Sequence, residues 1–152
     1  MYEIDQSGKI EQTARPTVIA FSNGRKGSLL ILPKEKQIIQ KIYRKAGKPR
    51  VFIIQVFSAL VYLLIEKSKL NKETVFTIDK EYPKYDSLIK SYIIQLSLKR
   101  KRIKILPEQI KFQNIGKKSK AHTVANSAYK KRRSSIKVTS QDVLGLILQY
   151  NS

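Results

Sequence analysis

The chain has 152 residues, with 31 lysines and arginines against 11 aspartates and glutamates, which leaves a formal net charge of +20. Its length, and 41% of apolar residues spread from end to end, fit one domain with one modest core and argue against wholesale disorder. The absence of cysteine excludes disulfide scaffolds, thiol catalysis and cysteine-ligated zinc or iron–sulfur chemistry, and the single histidine excludes multi-histidine metal sites.

The chain opens Met1-Tyr2-Glu3-Ile4-Asp5, without the basic and then apolar layout of a signal peptide. The expectation is a soluble, cytoplasmic protein with no disulfide-linked partner. Tyr2 to Asp5 reads as a strand running into a Gln6-Ser7-Gly8-Lys9 turn. Thr17 to Phe21 is β-rich, Ser22-Asn23-Gly24 and Gly27 mark a hairpin, and Ser28 to Leu32 is a third strand closed by Pro33. A helix follows, with Ile38, Ile39, Ile42 and Tyr43 expected on one buried face. Gly47-Lys48-Pro49 breaks it.

Val51 to Ile65 is almost wholly apolar, yet at 15 residues it is shorter than the roughly 20 that span a bilayer. It reads as a central helix buried on most sides, with no membrane partner. Thr74 to Ile78 is a strand ending in Asp79. Leu88, Ile89, Tyr92, Ile93 and Leu96 form the stripe of another helix, and Ile110 to Ile115 alternates as a strand. Ala121 to Tyr129 is predicted helical, and Thr139-Ser140-Gln141-Asp142 resembles a capping box before a helix over Val143 to Leu148. The order β-β-β-α-α-β-α-β-α-α predicts an α/β fold, a mixed five-stranded sheet flanked by helices. Residues 1–152 make a single domain, with 134–152 a C-terminal helical extension.

The positive surplus is patterned. Lys99-Arg100-Lys101-Arg102, Lys117-Lys118-Ser119-Lys120 and Lys130-Lys131-Arg132-Arg133 are separate runs. A polyanion relieves such self-repulsion, and nucleic acid, RNA or DNA, is the expected partner. Tyr129 beside the third run is a candidate base or sugar contact, whereas Tyr2, Tyr62 and Tyr92 are expected in the core.

With acids so scarce, their positions carry information. Asp5 lies in the apolar first strand and Asp79 ends a later one; Glu81, two residues on, would share the face of Asp79 if the strand continued. Two strand carboxylates converging at a sheet end can hold Mg²⁺ or Mn²⁺, which prefer oxygen ligands. Paired metals can activate water for phosphodiester hydrolysis. His122, directly after the second basic run, can shuttle a proton. Structural roles stand beside these: Asp5 starting a turn, Asp79 capping the helix after Pro83, His122 serving as a surface or capping residue. No Gly-rich phosphate loop and no nucleophilic triad pattern is present.

This layout resembles the ribonuclease H-like superfamily over about residues 1–131. Tyr2-Glu3-Ile4-Asp5-Gln6-Ser7-Gly8 looks like that fold's first strand, which carries a catalytic aspartate before a small-residue turn. Phe76-Thr77-Ile78-Asp79 looks like its fourth strand, which ends in a second one. Ile115 to His122 is similar to the loop in which some members place a histidine. The resemblance implies a metal-dependent nuclease acting on RNA, RNA–DNA hybrid or structured DNA, with Asp5, Asp79 and Glu81 as metal ligands and His122 in proton transfer. The chain departs from the pattern on its helices: Val51 to Ile65 and Ala121 to Tyr129 contain no acid, Glu66 falls at the far end of the apolar helix, and Asp142 comes late. The alternative is a non-catalytic basic nucleic-acid-binding protein of degenerate ribonuclease H-like fold, part of a ribonucleoprotein; a third reading is a structural subunit whose charge is neutralised by an acidic protein partner.

Overall fold

The computed structural model describes residues 1–70 and 74–151, with side chains to 148. Strands β1 (Tyr2–Ser7), β2 (Thr17–Asn23) and β3 (Arg25–Ile31) form an antiparallel meander. Helices α1 (Pro33–Lys45) and α2 (Val51–Ser68) follow, then β4 (Phe76–Asp79), α3 (Asp86–Arg100), β5 (Ile110–Gln113), α4 (Lys120–Lys131), β6 (Ile136–Val138) and α5 (Ser140–Asn151). The sheet order is β5-β4-β1-β2-β3-β6, with β4 parallel to β1, β5 parallel to β4 and β6 parallel to β3. The α/β class and the mixed sheet flanked by helices are as expected.

The strand count differs, six rather than five. The sixth is Ile136-Lys137-Val138, three residues behind a basic run, too short to leave a period-2 signature. It is recruited by geometry: the Ser135 hydroxyl donates to the Ser28 carbonyl at 2.9 Å and accepts from the Ser28 N–H at 3.0 Å, extending the β3 edge into a parallel pair. Residues 134–151 thus contribute a sheet strand as well as a helix.

The two faces of the sheet are covered unequally. On one, Ile4, Ile19, Phe21, Leu29, Ile31, Phe76 and Ile78 pack against α2, with α1, α3 and α5 around it. This enclosure explains why α2 is apolar on all sides. Among the described residues it is the one helix long and apolar enough to cross a membrane, and 67% of its 18-residue window is buried inside the fold. On the other face Val18, Ala20 and Leu30 meet α4 alone, through Ala125 and Ala128. Small residues there let α4 lie close to the sheet.

Two expected helix stripes shift. Ile38 and Ile42 on α1 and Leu88 on α3 are exposed, each above 40%. The buried face of α1 is instead Lys36, Ile39 and Tyr43. A lysine fits there because its ammonium has three donors and finds three acceptors: Lys9 O at 3.1 Å, Gln12 O at 2.9 Å and Thr17 Oγ1 at 3.0 Å. Burial pulls its pKa down to about 8. The contact pins the 8–16 segment that follows β1. Gly8 helps to close that segment: its φ is +80°, and a Cβ there would lie 2.2 Å from the Pro16 carbonyl oxygen and 2.7 Å from the Tyr129 ring.

Lys36→Met keeps the apolar stem but leaves these acceptors without their buried donor. We expect a loss of about 2–3 kcal/mol, read as a lower urea midpoint at unchanged slope; an unchanged midpoint would mean the ammonium adds no net stability.

Candidate acidic site

Strand alternation decides which side chains meet. Ile4 and Ile78 are register partners on β1 and β4, and both point into the α2 core. One residue further along each strand, Asp5 and Asp79 therefore share the opposite face, on strands about 4.8 Å apart. Asp5 is 5% exposed. Its Oδ1 accepts the Gln6 N–H at 2.9 Å, and its Oδ2 lies 2.9 Å from Nδ1 of His122, on the first turn of α4. Burial raises the Asp5 pKa, opposed by the hydrogen bonds from Gln6 and His122 and reinforced by the nearby Asp79 charge. With Nδ1 engaged by Asp5, Nε2 of His122 is the nitrogen left for proton exchange.

Asp79 works at the other side of the same site. Its Oδ1 accepts the Ile115 N–H at 2.7 Å, which ties the start of the basic loop to the end of β4. Glu81 joins it by a route other than strand continuation. The strand ends at Asp79, and the chain doubles back as Glu81 N–H donates to the Asp79 carbonyl at 2.8 Å. The Glu81 carboxyl lies near that of Asp79, and its pKa is pushed up to about 7. Burial is the main cause, followed by the charges of Asp79 and Asp5, with Lys9 pulling the other way.

Supporting residues gave weaker sequence signals. Ser119 caps α4 by accepting the Ala121 N–H at 3.1 Å and donates to Glu3 Oε1 at 3.0 Å, which fixes the helix start over β1. An N-cap serine before a helix was a legible cue; its partner Glu3 was not. Tyr82 accepts from Gln6 Nε2 at 3.2 Å and from Ile10 N at 3.4 Å, and its ring packs edge-on against Phe57. It braces the turn behind Asp5.

The three basic runs separate. Lys117 and Lys118 are exposed on the loop that Asp79 and Glu3 anchor, and Lys120 is exposed at the start of α4. Lys130, Lys131, Arg132 and Arg133 end α4; Tyr129 packs against Gly8 and the small Val18–Ala20–Leu30 core. Lys99 to Arg102 lie elsewhere. Because β4 and β5 are parallel, α3 must carry the chain back to the N-terminal edge of the sheet, away from Asp79. There Arg100 and Arg102 pair with Glu66 at 3.2 Å each. Asp142 closes the capping box with Thr139, at 2.8 Å to its N–H, on the helix layer opposite Asp5.

The described residues contain no ready-made group of three or more His, Asp or Glu side chains set to enclose a metal. The donor chemistry still suits a hard cation. Mg²⁺ is commonly held by one or two carboxylates, with waters and substrate phosphates completing its shell. Crowded carboxylates that hold a proton near neutrality are relieved by positive charge. No protein-family model, curated protein or solved structure matches the chain, so the chemistry rests on this geometry.

The Glu81 pKa makes stability depend on pH with a definite sign. Its folded value exceeds the unfolded one near 4.5, so the folded state binds the extra proton between about 4.5 and 7. The stability this contributes is complete below about pH 4.5 and is lost as pH rises through 7. Thermal melts of wild type should fall from pH 5 to 8 more than those of Glu81→Gln, and parallel pH profiles would contradict the assignment.

Proposed function

We propose that the chain is a Mg²⁺- or Mn²⁺-dependent nuclease of ribonuclease H-like architecture, hydrolysing phosphodiester bonds in RNA, RNA–DNA hybrid or structured DNA. The observation that carries the reading is the pair Asp5 and Asp79 on one sheet face, with His122 of α4 on Asp5 and Glu81 in the turn after Asp79, at the edge where the basic loop before α4 emerges. The strand succession supports it too: three antiparallel strands, then β4 and β5 laid parallel beside β1.

Asp5 and Asp79 would hold the cation, with Glu81 a further ligand or proton carrier. Such an ion, when bound, lowers the pKa of an attacking water and offsets charge on the leaving oxygen. Glu81, with its pKa at about 7, can take or give a proton at neutral pH. His122, oriented through Nδ1 by Asp5, keeps Nε2 as its remaining nitrogen for proton transfer. Lys117, Lys118 and Lys120 balance the phosphate charge that the carboxylates would otherwise repel.

A second reading, a nucleic-acid-binding protein without catalysis, has its own support. Both Asp5 oxygens and one of Asp79 are engaged within the protein, and no three ligands converge. End-labelled RNA, hybrid and branched DNA, incubated with Mn²⁺ or Mg²⁺, separate the two. Asp79→Asn should lower cleavage by about 10²–10³-fold, the scale of several kcal/mol of lost charge stabilisation, with binding kept within about threefold. His122→Ala should cost about 10²-fold. Tight, salt-sensitive binding without cleavage by wild type would establish the second reading.

A further inference from the structure

A groove of about 460 Å³ runs between α4 and the β3–β6 edge. One wall is a stripe of α4, Thr123, Ser127 and Lys131, at four-residue intervals of about 6 Å along the axis. The other side carries Lys26, Arg133 and Ser134. Its floor is set by the reciprocal Ser28–Ser135 hydrogen bonds and by Gly27, where a Cβ would lie 2.6 Å from the Phe21 ring. Among the described residues that line it there is no acid and no aromatic ring. Thr123 directly follows His122, so the groove begins beside the acidic site on the same helix.

We infer that this groove is a phosphate track that takes the sugar–phosphate backbone of one nucleic-acid strand leading to the acidic site. It rests on the nucleic-acid reading above for its ligand, and is independent of whether the strand is cut. Repeated hydroxyls and cations along one line suit successive phosphates, with hydroxyls donating hydrogen bonds and Lys26, Lys131 and Arg133 supplying charge. Without an aromatic wall the groove has nothing to stack bases on, so the track holds a strand without reading its sequence. Tyr129, the aromatic residue nearest the third basic run, is committed to packing on Gly8. The Lys99–Arg102 run ends α3, the helix on the sheet face opposite α4, with two of its arginines held by Glu66.

The test is fluorescence anisotropy with a labelled 20-nucleotide single strand in EDTA, so that cleavage plays no part. Lys26→Gln/Lys131→Gln/Arg133→Gln removes three exposed groove charges. Lys99→Gln/Lys101→Gln/Lys104→Gln removes three exposed charges at and just beyond the end of α3, the helix on the sheet face opposite α4. The groove variant should bind at least about tenfold more weakly, with a salt slope reduced by about two, and the α3 variant within about threefold of wild type. Ser127→Leu, which blocks the stripe at constant charge, should weaken binding as well, and melting temperatures check that each variant is folded. Equal losses in both triple variants would overturn the track while leaving nucleic-acid binding intact. No binding by wild type would overturn both. Full competition by inorganic pyrophosphate at the concentration of strand phosphates would show a small-anion pocket instead.

Discussion

Two aspartates side by side on neighbouring parallel strands, Asp5 buried and Asp79 half-buried, are the constraint around which this molecule is arranged. Charges about 5 Å apart repel by roughly 3 kcal/mol at an effective dielectric of 20, so Asp5 and Asp79 persist together only with compensation nearby. The surroundings provide it. The Gln6 N–H and His122 serve Asp5, and the Ile115 N–H serves Asp79. These partners come from the end of β1, the first turn of α4 and the start of the basic loop. Where those three segments lie therefore follows from how the carboxylates are satisfied.

The asymmetry of the two sheet faces serves the same end. Four helices bury one face and hold the strands rigid, while the other carries α4 alone. Ala121, Ala125 and Ala128 are the buried residues of α4, and their small size brings the helix near enough for His122 to reach Asp5. The uncovered remainder of that face is left to the acidic site and the groove beside α4. Lys36, buried on the far side of the chain turn after β1, stabilises the same region from below.

Legibility varied with how local each feature is. The five longer strands and the major helices could be read because each carries its own periodicity, and Asp5 and Asp79 stood out as acids in apolar strands. Glu81 was read as a strand neighbour of Asp79; it reaches Asp79 through a tight backbone turn, which periodicity does not encode. Ile38, Ile42 and Leu88 were misplaced because apolar spacing marks a stripe without saying whether a partner covers it. β6 and the burial of Lys36 depend on partners more than 100 and about 20 residues away respectively, and neither leaves a local trace. The run at Lys99 to Arg102 looked equivalent to the other two, and only the return path of α3 separates it from them.

By itself the sequence determined the class of fold, the single apolar central helix, the excess of positive charge and the scarcity of chemistry other than carboxylate, amine and one imidazole. These follow from composition and short-range period, which survive in any one segment read alone. Only the tertiary structure decided that Asp5 and Asp79 share a face, that His122 stands on Asp5, that Glu81 folds back on Asp79, and which basic residues flank them. Those relations are set by strand register and crossover direction, and register is a property of pairs of segments that no single segment contains.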